Sequence, residues 1–163
     1  MCKYNKIVIV SLCDGFTKSV SEKLSQMLGM MFCDTKDLIE YELIDKKMIE
    51  RLCTKDYLEN AEKMVIKHIS SFVDVVVAIN FDYLSHNFDL LKDGSLIVFL
   101  KLSKIFVKNN GNVVDQIAFE SRTSQLEKLA TLNLNIRKTD INFVCEKIIE
   151  NLGGLLWILF KNQ

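Results

Sequence analysis

A lysine and a serine, Lys18-Ser19, follow Gly15 shortly after the apolar run Ile7-Val8-Ile9-Val10. An ammonium beside a hydroxyl at the start of a helix suits phosphate chemistry. The ammonium neutralises phosphate charge, and the hydroxyl holds a magnesium ion. The segment Leu12-Cys13-Asp14-Gly15-Phe16-Thr17-Lys18-Ser19 keeps the spacing of a Walker A loop, G-x-x-G-x-G-K-S. Gly15, Lys18 and Ser19 are therefore the candidate nucleotide-binding residues. Leu12 and Thr17 stand where the other two glycines belong. Those glycines let backbone N–H groups turn inward and approach the phosphates with no Cβ in the way. A β-branched residue such as Thr17 is strongly disfavoured at positive φ. Asp14 adds a negative charge to the same cradle. At about 5 Å from a phosphate oxygen and an effective dielectric near 20, it repels by roughly 3 kcal/mol per unit charge. That is about a hundredfold in affinity.

The elements that must position these residues follow from the period of the apolar side chains. Lys6 to Leu12 reads as a buried strand, continuous and β-branched. Val20, Leu24, Met27 and Leu28 recur at helical spacing, with Gly29 placed to end that helix. Met30 to Cys33 is a short strand; Thr35 to Tyr41, Lys46 to Leu52 and Tyr57 to Phe72 are helical. Val73 to Ile79 and Leu96 to Leu100 are strands flanking a helix over Tyr83 to Leu91. Lys104 to Asp115, polar and carrying Asn109-Asn110-Gly111, reads as a loop or lid. A helix over Gln116 to Ala130, a strand over Leu132 to Ile136 and a last helix from Thr139 to Gly153-Gly154 complete the pattern. Five strands alternating with helices predict a three-layer α/β/α domain around a five-stranded parallel sheet.

At 163 residues the chain is long enough for one domain with a substantial core. Acids and bases balance at 21 each, so no bulk field draws nucleic acid or anionic lipid, and neither is expected as a partner. The first apolar run is too short to span a membrane, and Asp14 interrupts it too soon for a secretory signal, which predicts a cytoplasmic protein. Cys2, Cys13, Cys33, Cys53 and Cys145 are scattered, without a C-x-x-C pair, and read as free thiols. His68 and His86 lack ligand spacing. Residues 1–152 are expected to form the domain, with 153–163 as its apolar tail. The run Leu155-Leu156-Trp157-Ile158-Leu159-Phe160 either folds back on the sheet or a helix groove, or makes a contact surface for a protein partner or a second copy.

The sequential order of strand, loop, helix, short strand, aspartate, long helix, strand, lid, arginine-bearing helix, strand and helix resembles the shikimate kinase family. The similarity runs from about Lys6 to Leu152. It implies a P-loop, nucleoside-monophosphate-kinase-like fold, ATP and Mg2+ as cofactors, and a small-molecule carboxylate ligand. Phe32-Cys33-Asp34-Thr35-Lys36-Asp37-Leu38-Ile39-Glu40 is similar to the family's F-x-D-x-D-x-x-I-E. The resemblance thus implies Asp34 near the metal, with Ser19, and near the substrate. Lys36 replaces the second, substrate-binding aspartate, and an ammonium can only donate where a carboxylate accepts. Asp37 substitutes only if the register slips by one residue. Glu59 stands where the family has a carboxylate-clamping arginine, a charge reversal. Ile79-Asn80-Phe81 replaces a glycine triplet, and the lid from Ser103 to Asp115 has lysines, Lys108 among them, but no arginine. Arg122, in Arg122-Thr123-Ser124-Gln125-Leu126-Glu127-Lys128-Leu129-Ala130, matches the second carboxylate-binding arginine.

Two readings follow. In one, coordinated loss of loop glycines, clamp, glycine triplet and lid arginine leaves a non-catalytic binding or interaction domain, because phosphoryl transfer depends on positioning and charge. In the other, Lys18, Ser19, Asp34 and Arg122 keep their roles in a divergent ATP-dependent small-molecule kinase.

Overall fold

The computed structural model describes residues 4–43, 51, 54–111 and 115–160, with side chains described through residue 153. Three apolar strands form the centre of its sheet: β1 (Lys6–Val10), β3 (Val75–Ile79) and β4 (Ser95–Lys101). Their β-branched side chains are buried on both faces, as helices packed on either side require. β1 pairs in parallel with β3, Val8 opposite Val77, and with β4, Val8 opposite Ile97. The edges are β2 (Met31–Asp34) beside β3 and β5 (Leu132–Asn135) beside β4, giving the order β2-β3-β1-β4-β5, all parallel.

The seven helices among the described residues are α1 (Asp14–Leu28), α2 (Thr35–Glu42), α3 (Lys55–Ser70), α4 (Phe81–Leu91), α5 (Lys104–Asn110), α6 (Gln116–Leu129) and α7 (Ile141–Phe160). The β1–α1–β2 connection steps over β3 toward one edge, whereas the later connections step the other way. Right-handed crossovers then place α1 on one face and α3, α4 and α6 on the other. Contacts of α1 with α7, of α3 with α4 and of α4 with α6 fit that division. The three-layer, five-stranded parallel architecture read from the sequence is the one observed. Because the chain leaves β1 toward one edge and β3 toward the other, a crevice opens outside the carboxyl ends of these two strands.

Two segments differ from the sequence reading. Lys104 to Asp115 was expected as loop or lid, yet Lys104–Asn110 is helical. The Ser103 hydroxyl accepts from the Phe106 N–H at 3.2 Å, and Val107 is buried, so a cap and one apolar anchor outweigh the polar composition. The last helix was expected to end at Gly153-Gly154 but continues to Phe160. A glycine in a helix costs about 1 kcal/mol, which weakens without terminating. The helix predicted for Lys46 to Leu52 lies outside the described residues, Arg51 excepted. Among the described residues, no helix is long and apolar enough to cross a membrane.

Candidate functional site

The crevice is lined by Asp14, Gly15, Lys18, Asp34, Lys36 and Asn80, among others, and encloses about 250 Å³. Each lining group arrives from the end of a parallel strand: the first turn of α1 after β1, Asp34 at the end of β2, and Asn80 after β3. Asp34 caps α2, accepting from the Asp37 N–H at 3.0 Å, and Asn80 caps α4, accepting from the Tyr83 N–H at 2.8 Å.

The segment read from the sequence as a phosphate loop is wound into helix from Asp14 onward. α1 begins at Asp14, four residues before Lys18. The Thr17 N–H donates to the Cys13 carbonyl at 3.0 Å, an intrahelical bond. Thr17 itself is buried in a knot of hydroxyls. Its Oγ1 lies 2.6 Å from Ser11 Oγ, and the Cys13 carbonyl lies 3.2 Å from Thr17 Oγ1 and 3.0 Å from Ser11 Oγ. One hydroxyl proton bridges the two oxygens and the other goes to the carbonyl, while the Cys13 N–H donates to Ser11 Oγ at 3.1 Å. The sequence reading had Leu12 and Thr17 crowding an open loop. The polar side chain at 17 instead closes the segment into regular helix.

Helix α5 then packs on this turn. The Cys13 thiol donates to the Asn110 carbonyl at 3.1 Å, and the rings of Phe16 and Phe106 meet edge to face at 5.5 Å. A Cβ on Gly111 would lie only 2.6 Å from the Leu12 carbonyl oxygen, so the chain after α5 lies directly against the strand-to-helix turn. Lys108 belongs to this helix, not to a lid.

Gly15, Lys18 and Asp34 are brought to one cleft. Lys18 Nζ, however, is 2.5 Å from Asp37 Oδ2, in an exposed ion pair. Ser19 does not line the cleft, and its hydroxyl donates to the Gly15 carbonyl at 3.0 Å. Arg122 borders an adjoining cavity of about 60 Å³ that shares Asp14 and Asn80 with the cleft. Its guanidinium lies 5.1 Å from the centroid of the Phe81 ring. Glu59 lines a third hollow, of about 560 Å³, with Asn80 and Asp82, and is 3.6 Å from Lys55. Partial desolvation in the cleft, in a residue that is still exposed, raises the Asp14 carboxyl above its ordinary value; Lys36 opposes that shift, Asp34 and Asp82 reinforce it, and Arg122 opposes it. Acidic and basic groups thus share the cleft around Asp14. Among the described residues, no group of three or more His, Cys, Asp or Glu side chains is arranged to hold a metal ion.

Sequence reasoning missed the Ser11–Thr17 pair, because six-residue spacing belongs to no regular period across a strand-to-helix turn. It also missed the docking of α5, for which the apolar triplet Ile105-Phe106-Val107 behind Ser103 was the available signal. Asp37 as the partner of Lys18 had no signal beyond its place in the aspartate-rich segment.

No protein-family model and no curated protein sequence matches the chain. Solved structures do. Shikimate kinase from Aquifex aeolicus vf5 superposes with a TM-score of 0.74 at 20% identity, over 91% of this chain and 96% of that one. Shikimate kinase from Acinetobacter baumannii, in complex with shikimate, gives 0.68 at 15% identity, over 93% and 94%. A gluconokinase from Sinorhizobium meliloti 1021 gives 0.62 at 18% identity, over 100% and 99%. With its sheet order, crevice and nearly full-length superpositions, the chain has a shikimate-kinase-like P-loop fold.

Proposed function

We propose that this is a shikimate-kinase-like protein that does not transfer phosphoryl groups and acts as a binding or interaction domain. One observation carries the reading: α1 starts at Asp14, so the Thr17 amide that a phosphate cradle would aim at a ligand is spent inside the helix. A phosphate loop needs converging free amides. What remains is an ordinary helix N-terminus with a carboxylate, Asp14, in its first turn. Lys18 held by Asp37, Ser19 held by Gly15, and α5 packed on Leu12 and Cys13 point the same way. These residues do not fit a magnesium-bound triphosphate.

Thermal unfolding with and without Mg-ATP tests the reading. A ligand at a hundredfold excess over its Kd stabilises the native state by about 2.7 kcal/mol. The expected result is no shift in midpoint at millimolar Mg-ATP. A rise that Lys18→Ala abolishes would overturn the proposal.

The second reading, an active ATP-dependent small-molecule kinase, is favoured by the convergence of Gly15, Lys18 and Asp34 on one cleft. It requires the first turn of α1 to unwind and Lys18 to leave Asp37. In either case Arg122 is the group we assign to a small-molecule carboxylate ligand, in the cytoplasm. The apolar run from Leu155 to Phe160 is assigned to contact with a protein partner or a second copy; its side chains lie outside those described.

A further inference from the structure

The strand at one edge of the sheet has its shortness, four residues, as protection. β2 pairs with β3 on its inner side, and among the described residues nothing pairs with its outer side. Protected edges carry lysine, proline or a bulge, or lie under another element. β2 reads Met31-Phe32-Cys33-Asp34, and Met31 is 69% exposed. The Met31 N–H points inward, donating to the Asp74 carbonyl at 3.0 Å. Alternation along a parallel strand then turns the Phe32 N–H and carbonyl outward, as a free template.

Beside this edge lies an apolar groove of about 420 Å³, lined by Met31, Phe32, Leu38, Tyr41 and Phe72, among others. Tyr41 is 79% exposed. Among the described residues, the only charged ones lining the groove are Asp34 and Asp37. Glu40 and Glu42 follow on α2, whereas Lys18 and Lys36 line the neighbouring cleft. Lys18 engages one oxygen of Asp37, and Glu42 lies 3.6 Å from His68 Nδ1, so part of this charge already has a partner. Among the described residues the balance at the groove is still negative. The Cys33 thiol also lines the groove, and its pKa is pushed up to about 11, by burial first and then by Asp34, Asp37 and Glu42.

We propose that the outer edge of β2 docks an extended, lysine- or arginine-bearing segment of another protein. That segment adds as a strand and seats alternate apolar side chains in the adjoining groove. Backbone pairing to Phe32 supplies affinity, and the groove with its acidic rim supplies selectivity. A second copy of this chain is the poorer occupant, because the strand it offers, Met31-Phe32-Cys33-Asp34, brings a carboxylate and no cation to an acidic rim. The proposal rests on β2 and α2 alone and stands whichever way the nucleotide test falls.

The test uses the full chain and two fluorescent strand-forming peptides of about seven residues, enough to span an edge strand. Both alternate valine and phenylalanine with a charged residue, lysine in one and glutamate in the other. Anisotropy is expected to show the lysine peptide binding at least about tenfold more tightly, a difference that shrinks with added salt. Phe32→Pro deletes the outward amide without touching the ladder to β3 and is expected to weaken binding about tenfold or more. Met31→Lys, at an exposed position, places a cation in the groove and is expected to do the same while leaving the thermal midpoint unchanged. The proposal is overturned by equal binding of the two peptides, by no binding of the lysine peptide at millimolar concentration, or by unchanged binding to Met31→Lys. Sedimentation showing a dimer that Met31→Lys dissolves also overturns it, in favour of a second copy.

Discussion

Replacing Gly111 by alanine probes the docking of α5 on the turn between β1 and α1. A Cβ built there lies 2.6 Å from the Leu12 carbonyl oxygen and 2.8 Å from that of Val107, inside contact distance for both. Both obstacles are backbone, one at the end of the central strand and one in a helix, so neither swings aside. Overpacking of this kind costs typically 1–3 kcal/mol. Alanine also narrows the unfolded ensemble, which returns about 0.4–1 kcal/mol, so a net loss of about 1–2 kcal/mol is expected. In a domain of this size each kcal/mol lowers the midpoint by about 2–4 °C, for a total drop of about 2–8 °C. Differential scanning calorimetry and urea titration measure it. Glycine at 111 has an extended backbone, φ −112° and ψ −178°, which alanine adopts freely, so no strain at the residue itself confuses the result. An unchanged or raised midpoint would refute the close packing of α5 on Leu12, and with it part of the case against nucleotide binding.

Thr17→Val removes the hydroxyl that ties Thr17 to Ser11 and the Cys13 carbonyl, and is expected to cost about 1–2 kcal/mol in urea denaturation; a neutral effect would mean that the buried knot does not hold the turn. Asp14 has a raised pKa, so its native state binds the proton more tightly than the unfolded chain. Its contribution to stability therefore falls as pH rises from the ordinary aspartate value through the raised one. Asp14→Asn should flatten that slope and stabilise the fold at neutral pH by less than about 1 kcal/mol, since the side chain is still exposed to solvent screening; midpoints at pH 3.5 and 7 compare the two proteins. With its pKa at about 11, Cys33 is about one part in a thousand thiolate at pH 8. Iodoacetamide should modify it at least about a hundredfold more slowly than glutathione, by residue-resolved mass spectrometry, and equal rates would contradict the burial of that thiol.

The strands were legible because central parallel strands are buried on both faces and write themselves as unbroken β-branched runs: Ile7 to Val10, Val75 to Val77, Leu96 to Leu100. The alternation with helices then left few sheet arrangements, although the strand order, with β2 at one edge, comes from the structure. Single side-chain contacts were not legible. Whether Thr17 closes a helix or merely crowds a loop turns on one hydroxyl finding Ser11 at 2.6 Å, across a bend that no periodicity describes. The short helix α5 was hidden by Asn109-Asn110-Gly111, which read as loop although they only end it. Lys18 and Ser19 were found by pattern, yet pattern could not say that each already has a partner within the chain.

The register of β1 has a consequence for biosynthesis. Lys6 pairs with Val75 on one side and Ser95 on the other, so neither flank of the first strand exists until some seventy to ninety more residues have left the ribosome. Until then Ile7-Val8-Ile9-Val10 is a sticky, uncharged tetrad without its sheet neighbours. Pairings so remote along the chain slow folding and prolong that exposure. A polar replacement in this tetrad should therefore lower the yield of soluble product through the finished sheet, while raising the solubility of truncated chains that stop before Val75.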